Sequence, residues 1–294
     1  MRDVPGAPDV APDRLERFDS TDRGGRGDAP LAPEIEPYQR RMDRPDKQDG
    51  DTPREAIRRF DPERAGLKPI TAEEATQYVR DNVADRPWLN HAQYVGPETR
   101  QVLVAVDRGG GHAPERHGST VTPELTEGRA RRLEDPAVPT DAARMPGNDA
   151  YKAGTHACGD TATRFRDPHA FATCFARGIE HPKVRERLDR PFDPDKRPPA
   201  VGIPLEDLLG ADGHAYCDGH RLDPVGGSMK AAQECREAWV DATRNGRGPD
   251  VPEPTATRLW PEDFRGSEVV FAFQGAPGKN QWEIATMYVN PPKQ

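Results

Sequence analysis

His112, Arg116 and His117 follow a run of three glycines in the segment 109–118, and Thr286 and Tyr288 stand two residues apart in the segment 282–288. Histidine, arginine, threonine and tyrosine without a carboxylate cluster suit transesterification of an RNA phosphodiester. A base takes the proton of the ribose 2′-hydroxyl, cationic and hydrogen-bonding donors hold the phosphorane charge, and an acid protonates the leaving 5′-oxygen. The nucleophile lies within the substrate, so this chemistry needs no cofactor and no metal. A histidine is more often structural than catalytic, and threonine and tyrosine are ordinary strand residues, so these segments gain meaning only together.

The elements that would hold these residues follow from local signals. Thr71 with Glu74 forms a capping box, and Ala75, Tyr78, Val79 and Val83 repeat at helical spacing, predicting a short amphipathic helix. The apolar run 101–106 reads as a short strand stopped by the glycines. On a continuous helix His112 and His117 would point roughly 140° apart, so the Gly/Pro punctuation must break the helix for both to face one site. Thr122 and Pro123 open a helix that presents Arg129 one to two turns in, with Arg131 and Arg132 as competing arginines. Asp167 and Pro168 mark another helix, read over 164–178 with Gly178 as its stop and Phe171, Cys174 and Phe175 in the core. The stretch 134–160 reads as loop, 189–204 as proline-rich linker, and Ser228 opens a helix to about Asn245.

The C-terminal runs 268–274 and 281–289 flank a Pro/Gly loop and read as a hairpin. Regular alternation there puts Trp282, Ile284, Thr286 and Tyr288 on one face and Glu283, Ala285 and Met287 on the other. Helices first and an antiparallel sheet last give an α+β fold, N-terminal helices packing on a small C-terminal sheet.

Composition bounds the core. Only 34% of the 294 residues are hydrophobic, against 32 prolines and 27 glycines, and the net charge is −8. Residues 1–65 lack apolar periodicity and read as a disordered leader or linker, leaving one domain over 66–294. The acidic balance argues against a broad nucleic-acid footprint and leaves room for a local basic site. No apolar run is long enough to span a membrane and the first residues lack a secretory h-region, so the chain is expected to be cytosolic, exported by another route, or the end of something longer. Cys158, Cys174, Cys217 and Cys235 permit two disulfides in three pairings or four reduced thiols. His214, Cys217 and His220, with Cys235, His156 or Cys158, form a rival zinc site that lacks a paired Cys-x-x-Cys knuckle; its plainer version is a disulfide loop.

The order Gly-Gly-His, four residues, His-Gly, an arginine-bearing helix, then Ala162-Thr-Arg-Phe-Arg-Asp-Pro-His-Ala-Phe171 and finally Trp282-Glu-Ile-Ala-Thr-Met-Tyr288 resembles the RNase A-like toxin domains of contact-dependent inhibition proteins and other polymorphic bacterial toxins. The resemblance covers about 105–188 and 262–292. It implies an RNase A-like or BECR-type toxin fold and a catalytic set of His117, Arg129, Thr286 and Tyr288. His112, Arg116, Arg164 and Trp282 are then supporting or substrate-binding residues. It further implies a metal-independent endoribonuclease acting on RNA, with tRNA the expected target, a cognate immunity protein, and secretion or delivery into the cytoplasm of a competing cell. Gly118-Ser-Thr stands where the family usually has Val-Gly-Lys, and a cysteine-containing insertion at about 189–260 departs from compact members. The alternative from another class is a zinc- or disulfide-stabilised secreted interaction protein without catalytic activity.

Overall fold

The computed structural model describes residues 36–46, 51–140, 143–149, 158–196, 199–247, 250–276 and 280–293. Short helices α1 (Glu36–Gln39) and α2 (Pro53–Arg58) precede α3 (Ala72–Asn82), α4 (Pro97–Asp107), α5 (Ala113–His117) and α6 (Pro123–Arg132). Strand β1 (Thr161–Phe165) leads into α7 (Pro168–Glu180) and α8 (Pro182–Leu188), and β2 (Val201–Pro204), α9 (Leu205–Leu209), β3 (Cys217–Leu222) and α10 (Met229–Arg244) follow. The chain ends with β4 (Ala256–Leu259), β5 (Glu268–Gly275) and β6 (Trp282–Asn290). Among the described residues the strands form two antiparallel sheets of three, ordered β1-β3-β4 and β2-β5-β6. The α+β class and the mostly N-terminal helices match the sequence reading, whereas the single C-terminal sheet is replaced by two.

Local signals explain where most helices start. Thr71 and Glu74 form the reciprocal capping box of α3, Thr122 accepts from Leu125 N with Pro123 at the first position of α6, and Ser228 caps α10. The predicted hairpin is present as β5 and β6.

Other expectations are corrected. The run 101–106 belongs to α4, which Gly96 and Pro97 open. Val102 to Val106 are buried without a break, and a buried apolar run carries no period that separates strand from helix. Arg164 and Phe165 belong to β1, and α7 begins at Pro168 under the Asp167 cap. Gly178 does not stop this helix. A Cβ there would lie 2.1 Å from the Phe271 ring, so the glycine lets α7 press against β5, and the stop comes from the break before Pro182. Every residue of α7 from Pro168 to Ile179 is buried, which makes it the central helix of the core.

Residues 36–46 and 51–65, read as leader, are part of that core. Tyr38, Met42, Ile57 and Ala65 are buried in the main cluster. Arg177 of α7 pairs with Asp46 at 2.7 Å and Asp51 at 3.3 Å, and donates to Leu208 O at 2.6 Å. A few anchors and a buried cation fix this stretch, which is why no periodicity announced it; residues 1–35 lie outside the described residues. The region 189–260, read as a cysteine-containing insertion, supplies β3, the middle strand of the first sheet, and β2, an edge of the second. The four cysteines are free thiols, with Cys158, Cys174 and Cys217 buried and Cys235 exposed. Among the described residues no helix is long and apolar enough to cross a membrane.

Gly178→Val is expected to destabilise the protein by about 1–3 kcal/mol through overpacking against Phe271, measured by denaturant unfolding; an unchanged midpoint would show that the α7–β5 contact yields freely.

Candidate active site

The glycine run and α5 meet β6 through contacts of the loop backbone, and α6 joins them through the Arg129 side chain. Gly110 N donates to Glu283 Oε1 at 3.1 Å, and His112 N donates to Ala285 O at 3.0 Å. A Cβ on Gly111 would sit 2.4 Å from Ala285 O, so the glycine is needed for the loop to lie against the strand. At the same place β6 is bulged: Thr286 faces Ala272 and Ile284 faces Phe273, leaving Ala285 as the extra residue. A bulge reverses the alternation beyond it. Thr286 and Tyr288 therefore share a face with Glu283, while Trp282 and Ile284 turn to the Phe273 side, correcting the expected grouping. Glu283 is buried and also accepts from Gln274 at 2.8 Å.

His117 ends α5 and is 7% exposed. Its Nδ1 lies 3.0 Å from Thr163 O and its Nε2 lies 3.3 Å from Arg129 Nη1. A carbonyl only accepts and a guanidinium only donates, so Nδ1 carries the proton and Nε2 presents a lone pair. Burial drives the ring well below the ordinary histidine range, Arg129 pushes the same way, and the Thr163 carbonyl opposes them. The Tyr288 ring stacks on the imidazole with centroids 5.4 Å apart and planes at 29°. Burial raises the Tyr288 phenol above its usual range against the influence of Arg129.

Arg129 points inward from α6. Its Nε donates to Asp149 Oδ2 at 2.9 Å, and Asp149 is fully buried. Arg131 instead pairs with Glu127 and Glu253, and Arg132 with Glu134, all at the surface side of the helix. Arg129 is thus the arginine of this helix that meets His117. Thr286 Oγ1 is buried and has no hydrogen-bond partner among the described residues.

The supporting residues separate into two groups. His112 stands at the N-terminal boundary of α5 and its backbone N–H holds the β6 bulge; Arg116 is locked by Asp135 at 2.9 and 2.6 Å and lies 3.7 Å from Asp149. Burial opposes the Asp135 charge, but the Arg116 fork outweighs it and holds the carboxyl below its usual range. Arg164 and Trp282 stand apart. Arg164 is buried against Asp218 at 2.6 Å and Val121 O at 2.7 Å, and Trp282 donates to Pro191 O at 3.1 Å and packs on Phe192. Sequence reasoning missed Asp149, Asp135, Glu283 and Thr163. The first two lie in stretches with no periodic signal, and the bulge that recruits Glu283 leaves no composition mark.

The rival metal cluster does not assemble: among the described residues no group of three His, Cys, Asp or Glu is placed to hold an ion. His220 Nδ1 meets Thr126 Oγ1 at 2.9 Å and His214 Nδ1 meets Ala211 O at 3.2 Å, while His156 lies outside the described residues. No family model, curated protein or solved structure matches the chain.

Asp149→Asn removes the charge that compensates Arg129, and breaking a buried pair costs about 3–5 kcal/mol; chemical denaturation should register most of it, and a loss under about 1 kcal/mol would show Arg129 held by other contacts. Stability should also fall on acidification. Burial lowers His91 and His169 to about 4 and holds His117 well below the ordinary histidine range, so the unfolded chain binds more protons as pH drops below about 6.5. Glu115, raised to about 7 by burial, acts in the opposite sense as a single group. The midpoint of thermal unfolding should therefore be lower at pH 5 than at pH 7.5, and a flat or rising profile would contradict the buried neutral histidines.

Proposed function

We propose that this chain is a metal-independent endoribonuclease toxin of RNase A-like type, cleaving RNA by attack of the 2′-hydroxyl. The observation that carries the reading is the meeting of three separate elements at His117, whose tautomer is fixed: Arg129 faces the Nε2 lone pair and the Tyr288 ring stacks on the imidazole. His117 Nε2 takes the 2′-hydroxyl proton as the 2′-oxygen bonds to phosphorus. Arg129 neutralises the non-bridging oxygens, and Thr286 Oγ1 hydrogen-bonds the phosphate. The P–O5′ bond breaks as the 5′-oxygen receives a proton, with Tyr288, kept protonated at neutral pH, completing the transfer or positioning the ribose. An RNase A-like or BECR-type fold, tRNA as the target, delivery into a competing cell and a cognate immunity protein belong to the same reading through the resemblance.

A second reading, a secreted interaction protein without turnover, draws on burial. His117, Arg129 and Thr286 are 7%, 5% and 6% exposed, and Nε2 already faces Arg129, so substrate must open that contact.

Purified protein incubated with total RNA and tRNA in EDTA separates the two. Cleavage leaving 2′,3′-cyclic ends, reduced about 10²–10⁴-fold in His117→Ala and strongly in Tyr288→Phe, is the expected result. Absence of cleavage by the folded wild type, or full activity in His117→Ala, would transfer the conclusion to the binding role.

A further inference from the structure

On the opposite flank of α5 from His117 lies a cavity of about 170 Å³ that the proposed chemistry does not use. Glu115 and His117 are two residues apart and leave the helix roughly 200° from each other. Trp88, Glu115, Val121, Pro136, Val138 and Arg144 are among the lining residues. The volume is that of roughly six waters, enough for one planar ring system and too small for a whole nucleotide. A wider groove of about 560 Å³ shares Leu125 and Arg144 with it, so a ring held inside can stay attached to a chain outside.

The walls are pre-set. The Trp88 indole N–H donates to Asp107 Oδ1 at 2.5 Å, and Asp107 also accepts from Tyr78 and Arg86 at 2.9 Å. Those bonds fix the edge of the indole, and the Arg86 guanidinium stands 5.9 Å from its ring centre. Glu115 is half-buried among these groups and makes no hydrogen bond to a described residue. A carboxylate so placed asks for a partner that offers two parallel N–H donors on a flat edge. A nucleobase supplies such an edge together with a face to lie on the aromatic and proline walls. Of the four RNA bases, guanine alone presents adjacent ring and exocyclic N–H donors on one edge.

We propose that this cavity binds a guanine base through Glu115 and Trp88, and that in the ribonuclease reading, on which its biological use rests, it holds a guanosine neighbouring the cleaved linkage. Burial raises Glu115 to about 7, with Arg116 opposing, Asp135 and Asp107 adding to the rise, and Arg86 opposing. Two N–H donors favour the ionised form, so guanine binding near pH 7 releases protons.

Calorimetric titration of the full chain with 5′-GMP, 5′-AMP and 5′-CMP tests this without any need for cleavage. The expected result is GMP binding about tenfold or more tighter than the other two, proton release seen as a dependence on buffer ionisation heat, and loss of the preference in Glu115→Gln. Trp88→Leu, checked for folding by circular dichroism, should weaken all three nucleotides. His117→Ala should keep the GMP preference, which separates this site from the catalytic proposal. Equal binding of the three nucleotides, an unchanged preference in Glu115→Gln, or binding of an arginine-containing peptide in place of any nucleotide would overturn the assignment.

Discussion

Thr163 joins the two halves of the molecule. Its carbonyl meets His117 Nδ1 at 3.0 Å and its hydroxyl donates to Val289 O at 2.6 Å. One residue of β1 thus sets the tautomer of the histidine and the position of the strand that carries Thr286 and Tyr288. Both bonds are buried, where an unmet polar group costs more than a bond gains, so the contacts enforce each other. The imidazole cannot rotate without orphaning the carbonyl, and β6 cannot slide without orphaning the hydroxyl.

Around that joint the charges are nested. Asp149, fully buried, aligns Arg129, and Asp135 aligns Arg116. Buried ion pairs add little net stability but strongly penalise misplacement of either partner. Here they hold a guanidinium against a histidine that burial has already made neutral. The β6 bulge completes the arrangement from the other side, because it turns Glu283 toward the glycine loop and lets Ala285 O receive His112 N. The result is a polar site whose orientation is fixed by backbone groups, with Thr286 Oγ1 buried and without a hydrogen-bond partner among the described residues.

Much of this was legible where one residue type forces one local outcome. Thr71, Thr122, Asp167 and Ser228 announced their helices because a side-chain oxygen at that point answers an open backbone N–H. The separation of Thr286 and Tyr288 by two marked them as one face, whereas Arg129 was separated from Arg131 and Arg132 only by the buried Asp149 that draws it inward. What failed depended on tertiary context. The helix over Pro97–Asp107 looked like a strand because burial on all sides erased its period. Gly178 looked like a stop because the Phe271 ring it accommodates lies 93 residues away in the sequence. Trp282 was assigned to the wrong face because a single extra residue, Ala285, inverts the pattern. Tyr38 and Asp46 escaped notice because Arg177, their anchor, is distant in sequence.

The central claim is that His117 is a neutral imidazole, protonated on Nδ1, whose Nε2 is offered to an anion held by Arg129. Long-range ¹H–¹⁵N correlation of the histidine ring tests it directly, recorded across pH with and without a nucleoside 3′-monophosphate. The account predicts that the Nδ1–H tautomer persists well below the ordinary histidine range in the free protein, with an upward shift in the pH of ring protonation when the phosphate offsets the Arg129 charge. An Nε2–H tautomer, or a ring indifferent to the nucleotide, would contradict it.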